Sequence, residues 1–335
     1  MVLLSGSPVD AQTPQQSSSP IAVPQRSVAE IIKRSVVFIQ TDCAKLDEQG
    51  KTSPDIHGDP VVGQSFAGTA FLIGVTDSRL PADREFSYLV TNRHVALPGS
   101  EDGKPCQVVA YHIQADRKSP NEAGSFLDMS TIPQKAMSWT LSADASDDLA
   151  VAPIRLANDS LDLVLMPSEL LLSKNDVEAN QVQEGDSVLF AGLFVQMVGL
   201  VHQEPIIREG NIAMMPKEKM PTTINKTAGD IYLVDCHVFG GNSGSPMFID
   251  LAGMRLGKMS IGYNYKILGV VSGYVTETSG FQLQPVASYA GTVEANSGVT
   301  IVVPAQKIID LIYSPELTAA RDREFPAQQA ESAKH

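Results

Sequence analysis

The stretch Gly240-Gly241-Asn242-Ser243-Gly244-Ser245-Pro246 places two serines among three glycines, just ahead of the apolar run Met247-Phe248-Ile249. A serine flanked by residues this small can sit on a tight turn with its hydroxyl exposed. Successive backbone N–H groups can then converge on one cavity, because glycine reaches the required conformations at least cost. Taken alone, the stretch reads equally as a loop joining two strands. Partners elsewhere in the chain decide between the readings, since a serine hydroxyl is a weak nucleophile and needs an imidazole base oriented by a carboxylate.

Six histidines are available. His57 lies in a loop of Asp, Gly and Pro, His112 in a strand-like run, His202 among polar residues, His237 just before the Gly-rich turn and His335 at the chain end. Surface or internally satisfied histidines account for most of these. His94 differs, because the apolar run Tyr88-Leu89-Val90-Thr91 delivers it to a turn, with Val95-Ala96 small enough to pack beneath it. Asp148 stands likewise at the mouth of Leu149-Ala150-Val151-Ala152-Pro153-Ile154, where a carboxylate is half-buried and still reaches a neighbour. Asp147 is the competing orienter.

Short β-branched or aromatic runs punctuated by Gly, Pro and Asp recur along the chain: Val36 to Ile39, Ala70 to Val75, Ser87 to Thr91, Gln107 to Ile113, Leu149 to Ile154, Ser187 to Phe194, Ile206 to Met215, Ile231 to Val234, Pro246 to Ile249, Ile267 to Tyr274 and Thr300 to Val303. Many short strands and few helical periods predict an all-β sandwich or a pair of barrels. Helices are expected after the capping box Ser27-Val28-Ala29-Glu30, within Pro167 to Asn180, and over Ala305 to Ile312. The reading divides the chain into a Ser/Pro/Gln-rich leader or linker (1–27), an N-terminal unit carrying His94 and Asp148 (28–160), a C-terminal unit carrying Ser243 (161–313) and a polar tail (314–335).

Composition excludes several classes. Hydrophobic residues make up 43% and charged residues 19% of the 335, which is a globular balance. The net charge of -13 has the wrong sign for a partner that binds nucleic acid. The most apolar stretch, Val188 to Val201, is interrupted by Gln196 and is shorter than the roughly 20 residues of a bilayer span, so no stable membrane insertion is expected. The three cysteines, Cys43, Cys106 and Cys236, form no CxxC pair, so neither a zinc site nor a disulfide framework is expected; one bridge with one thiol left over remains open. The start of the chain lacks the basic and apolar regions of a secretory signal, and export is left undecided. A phosphate loop is nearly mimicked by Gly99 to Lys104, but Pro105 follows the Gly-Lys pair; the Gly-x-Ser-x-Gly elbow is broken by Ser245; and no HExxH occurs.

Thr91-Asn92-Arg93-His94-Val95-Ala96, Asp148-Leu149-Ala150-Val151 and Gly241-Asn242-Ser243-Gly244-Ser245-Pro246 resemble, in this order, the three active-site motifs of chymotrypsin-like serine proteases, particularly bacterial HtrA-type ones. The resemblance extends over about residues 27 to 313: Gly68-Thr69-Ala70-Phe71-Leu72-Ile73 is similar to the strand before the histidine, and Thr300 to Ala305 with the helix after it to the family's C-terminal end. No PDZ-sized segment follows residue 313, so tail recognition and cage assembly of that type are not carried over.

The resemblance implies two antiparallel β-barrels with the active site in the cleft between them, and a short C-terminal helix. It implies a serine endopeptidase acting through an acyl-enzyme, with Ser243 as nucleophile, His94 as base and Asp148 as orienter. The N–H groups of Gly241 and Ser243 would hold the oxyanion, and Val271-Ser272-Gly273 would pair with an extended peptide. The side-chain pocket would begin at His237, Val238 and Phe239; with no acid there it is expected to be neutral, and His237 to be a strand-end histidine. The expected partner is a protein or peptide substrate, with no cofactor and no metal. The competing reading is a catalytically silent binding or scaffolding module on the same fold.

Overall fold

The computed structural model describes residues 28–332, apart from 48, 82–83, 100–105, 156–159, 222–227, 256–257, 261–263 and 284–288. The expected leader (1–27), with the capping residue Ser27, and most of the Gly99–Pro105 loop lie outside the described residues. In chain order, α1 (Val28–Ser35) leads into β1 (Val36–Ala44), β2 (Val62–Val75) and β3 (Phe86–Thr91). Then come the single-turn α2 (Arg93–Ala96), β4 (Val108–Asp116), β5 (Leu127–Pro133), β6 (Thr140–Leu141), β7 (Ala150–Pro153), β8 (Met166–Pro167) and α3 (Lys174–Ala179). The second half holds β9 (Ser187–Gly192), β10 (Ile206–Met214), β11 (Met220–Pro221), β12 (Ala228–Gly229), β13 (Tyr232–Asp235), β14 (Pro246–Asp250), β15 (Gly253–Arg255), β16 (Lys258–Ser260), β17 (Tyr265–Leu283) and β18 (Tyr289–Pro304), and ends in α4 (Ala305–Ile312) and α5 (Pro315–Ser332).

The fold is mainly β, as the strand pattern predicts. β9, β10, β13, β18, β17 and β14 close into a six-stranded barrel, while the first unit is an eight-stranded sheet in the order β5-β4-β1-β2-β3-β7-β6, with β8 on β2. In that sheet the pairing path does not return on itself. β11 with β12 and β15 with β16 are small separate pairs.

Side chains alternate across a strand, and β2 uses this to serve two cores. Phe71, Ile73 and Val75 point into a core shared with the barrel, where they meet Phe190, Met247 and Phe248. Ala70 and Leu72 point the other way, toward Val37, Ile39, Leu89 and Tyr111 of the first unit's own core. β3 and β7 divide in the same manner, with Val90 and Val151 in the shared core and Leu89 and Ala152 in the private one. The shared core fixes the two units against each other, and the ends of β3, β7 and β14 emerge along their junction.

The C-terminal helix α4 has the bounds the sequence predicts. The expected helix within 167–180 is shorter. After a 3-10 turn at Ser168–Leu170, Leu171 pairs in parallel with Ile267 and Leu172 N donates to the Ile267 carbonyl at 2.9 Å, so α3 starts only where Ser173 caps it with a reciprocal Ser173–Asp176 capping box. The stretch after residue 314 folds as α5. It packs Leu317 and Phe325 on the shared core and adds polar contacts: Arg321 is buried, donating to Tyr88 Oη at 2.9 Å and to the Ile312 carbonyl at 2.8 Å, and Arg155 pairs with Glu324. Among the described residues, no helix is long and apolar enough to cross a membrane.

Candidate active site

Each of the three motif residues leaves the end of a strand. β3 ends at Thr91, and the chain turns at once into α2, which carries His94 over the fully buried Ala96. The fully buried Asn92 holds this turn to the next motif, its Nδ2 donating to the Asp148 carbonyl at 2.9 Å. Asp148 lies two residues before β7 and is 2% exposed.

His94 Nδ1 is 2.7 Å from Asp148 Oδ2, and the backbone N–H of His94 donates to Asp148 Oδ1 at 3.1 Å. An ionised carboxylate only accepts, so the Nδ1 position carries the proton in this pair and neutral His94 keeps a bare Nε2. Nε2 has no hydrogen-bond partner among the described residues, and the ring is 39% exposed at the cleft. Burial works against a charged imidazole here, but the charge of Asp148 and the hydrogen bond to it prevail and hold the His94 pKa above its ordinary value. Burial would raise Asp148 in turn, yet His94 and the bond from Ser272 keep it below the usual carboxylate range.

Ser272, expected to pair with substrate through its backbone, lies in β17. Its side chain crosses the cleft, with Oγ donating to Asp148 Oδ2 at 2.5 Å. The competing carboxylate, Asp147, turns away from His94. It accepts from Ser142 Oγ at 2.7 Å and pairs with Lys307 at 3.2 Å.

Ser243 sits on the turn that opens β14, brought to the first unit by Thr69 N, which donates to the Ser243 carbonyl at 2.8 Å. Its Oγ donates to the Ser272 carbonyl at 3.3 Å. In this state the hydroxyl therefore bonds the Ser272 carbonyl and not His94. Catalytic contacts that tighten only with substrate bound are common.

The turn is shaped by Asn242, which sequence reasoning passed over. This fully buried side chain accepts from Phe239 N at 2.7 Å and donates to the Leu193 carbonyl at 2.6 Å. Gly241 adopts φ +94° and Gly244 φ +88°, the left-handed region that glycine occupies without strain. Asn242 N and Ser245 N close the turn on the Phe239 and Asn242 carbonyls, and Gly244 N donates to the Val271 carbonyl of β17. Gly241 N and Ser243 N meet no acceptor among the described residues, so both remain available to donate.

The remaining expected residues are distributed around this turn. His237 is exposed, with its ring over Gly298; Val238 is 1% exposed and belongs to the shared core; Phe239 is 39% exposed, with its ring 5.8 Å from Phe194 and the Arg208 guanidinium 4.8 Å above it. Val271 is buried and Gly273 partly exposed. Among the described residues, β17 from Ser272 onward pairs only with β18, because β14 stops pairing at Val270. The free edge of β17 thus runs past Ser243. Among the described residues, no cluster of His, Cys, Asp and Glu is arranged to hold a metal ion.

No family model matches this chain, and no curated protein matches it in sequence. Solved structures do align with it. The MamO protease domain from Magnetospirillum magneticum aligns at 11% identity and TM-score 0.40, covering 84% of this chain and 98% of that one. The HtrA-type protease AlgW with a decapeptide aligns at 15% identity and TM-score 0.44, covering 85% of this chain and 65% of AlgW. An inactive form of Rv3671c from M. tuberculosis H37Rv aligns at 16% identity and TM-score 0.40, covering 88% and 96%. These are proteins to which the chain is similar.

Proposed function

We propose that this protein is a serine endopeptidase in which Ser243, His94 and Asp148 act together. The observation that carries the reading is the His94 Nδ1 to Asp148 Oδ2 contact of 2.7 Å, which fixes the tautomer that leaves Nε2 free as a base beside the nucleophile's turn. Ser243 Oγ turns from the Ser272 carbonyl, gives its proton to His94 Nε2 and bonds to the carbon of a substrate amide. The developing oxyanion is held by the N–H groups of Gly241 and Ser243. His94 then returns the proton to the leaving amine, and water releases the acyl group from Ser243 by the same path in reverse.

A substrate presented as an extended strand suits the free edge of β17 at Ser272 and Gly273, where main-chain pairing supplies affinity without demanding a side chain. His237 and Phe239, both exposed just before the Ser243 turn, are the side chains offered to flank it. The silent-module reading is separated from this one by a fluorophosphonate probe. Covalent labelling that maps to Ser243 and is lost in Ser243→Ala supports the enzyme, and folded protein that takes no label under any condition contradicts it.

A further inference from the structure

Two consecutive acids, Asp147 and Asp148, are both nearly inaccessible, at 3% and 2% exposure. Asp148 is committed to His94 and Ser272, and burying a second carboxylate beside it carries a heavy desolvation cost unless a cation answers it. That cation comes from the far end of the chain. Lys307, on α4, places Nζ 3.2 Å from Asp147 Oδ1 and 2.8 Å from Asp230 Oδ2, with only 17% of its side chain exposed. Asp230 lies just before β13 of the barrel, whereas Asp147 closes the turn that leads into β7 of the first unit.

The same junction is reinforced on either side. Lys219 pairs with Asp144 at 2.6 Å within that turn, Asp144 holds Ser146 N and Oγ, and Gly229 lies against the Ser146 carbonyl. Asp230 also feels Lys219 and Lys174. The charged group acting on His94 is Asp148. Both partners of Lys307 favour its charged form over the cost of burial, so the ammonium persists. The His94–Asp148 pair belongs to the sheet unit and Ser243 to the barrel, so a cation clamped between Asp147 and Asp230 spans the two halves directly beside the pair.

We propose that Lys307 is a positioning residue. It neutralises Asp147, so that His94 feels one uncompensated carboxylate and not two, and it ties the Asp148 end of the sheet to the barrel that carries Ser243. This role rests on the endopeptidase reading for its consequence but not for its test.

The direct experiment follows the His94 ring by NMR titration in wild type, Lys307→Met, Lys307→Arg and Lys307→Met/Asp147→Asn. Exposing a neighbouring carboxylate shifts the His94 equilibrium upward by about threefold in Lys307→Met. Arginine keeps the wild-type titration, and the double variant returns to it. Should Lys307→Met not fold, Asp147→Asn alone, which leaves Lys307 with Asp230, is expected to lower the titration. In a wild type that hydrolyses peptide, Lys307→Met also lowers kcat with KM unchanged and moves the acid limb of kcat/KM upward with the NMR value. An unchanged His94 titration in the folded variants overturns the proposal, as does failure of Asp147→Asn to rescue Lys307→Met. The titration needs no turnover, so a wild type that neither labels nor cleaves contradicts the endopeptidase reading alone.

Discussion

The Thr69 hydroxyl donates to the Gly241 carbonyl at 2.8 Å across 172 residues of chain, while accepting from Leu193 N at 2.8 Å. With Thr69 N bonded to the Ser243 carbonyl, one fully buried residue of β2 fixes both flanks of the Ser243 turn. Thr69→Val keeps the shape and removes the hydroxyl. It is expected to cost about 1–3 kcal/mol for each buried group left without a partner, and to slow fluorophosphonate labelling. Thr69→Ser should retain most of both. Denaturant melts paired with labelling rates check this, and a Thr69→Val protein with wild-type stability and rate would remove Thr69 from the account.

Asp148→Asn replaces the group that fixes the His94 tautomer. The corresponding change in chymotrypsin-like enzymes lowers kcat about 10⁴-fold, a value borrowed from them. The pH profile changes with it. In the wild type the His94 pKa is raised, so the charged pair stabilises the fold at acid pH and that contribution fades as pH rises through the native pKa. Activity runs the other way, because only neutral imidazole accepts the Ser243 proton. The acid limb of kcat/KM is therefore expected above the ordinary histidine value of about 6.5, and to move down in the residual activity of Asp148→Asn.

Gly244→Ala is expected to damage folding more than any surface change. Its φ of +88° disfavours a side chain, and a methyl group there would overlap the Thr69 carbonyl oxygen and Thr91 Oγ1. The backbone strain alone costs about 1–2 kcal/mol, with the overlap added. A thermal melt and soluble yield measure it; Gly240, whose Cβ position is open, serves as the control, and equal tolerance at both positions would contradict the turn as described.

The cysteines divide by environment. Cys43 and Cys106 are bridged, closing a separation of 63 residues, whereas Cys236 is buried and its thiol is pushed up to about 11, chiefly by burial. Native protein is expected to react with thiol reagents only after denaturation. Replacing the bridge by Cys43→Ala/Cys106→Ala should lower stability by about 2–5 kcal/mol. Rapid modification of one thiol in the folded state would contradict the burial of Cys236.

The three motif residues were legible because each follows or opens an apolar strand, so local pattern alone put them at strand ends. α4 was legible for the same reason, its apolar residues recurring on one helical face. Thr69 and Asn242 were not: both act through bonds to residues remote in sequence, and their types are common in strands and turns. Ser272 was read as a main-chain partner for substrate, and the reach of its side chain to Asp148 depends on how the units pack. α5 escaped notice because only Leu317 and Phe325 carry its apolar contact with the core, while Arg321 on Tyr88 and Asp322 on Arg79 supply much of the rest, and hydrophobic periodicity registers such a helix weakly. The interior of 167–180 reads as helix until Leu171 and Leu172 are seen to pair with Ile267.

The central claim is that Ser243, His94 and Asp148 hydrolyse peptide bonds as one unit. Digestion of an unbiased peptide library, read by mass spectrometry for wild type and Ser243→Ala side by side, tests it most directly. The account predicts internal cleavages by the wild type that are absent from the folded Ser243→Ala protein; identical digests from the two proteins, or none from a wild type that is folded and bridged, would contradict it.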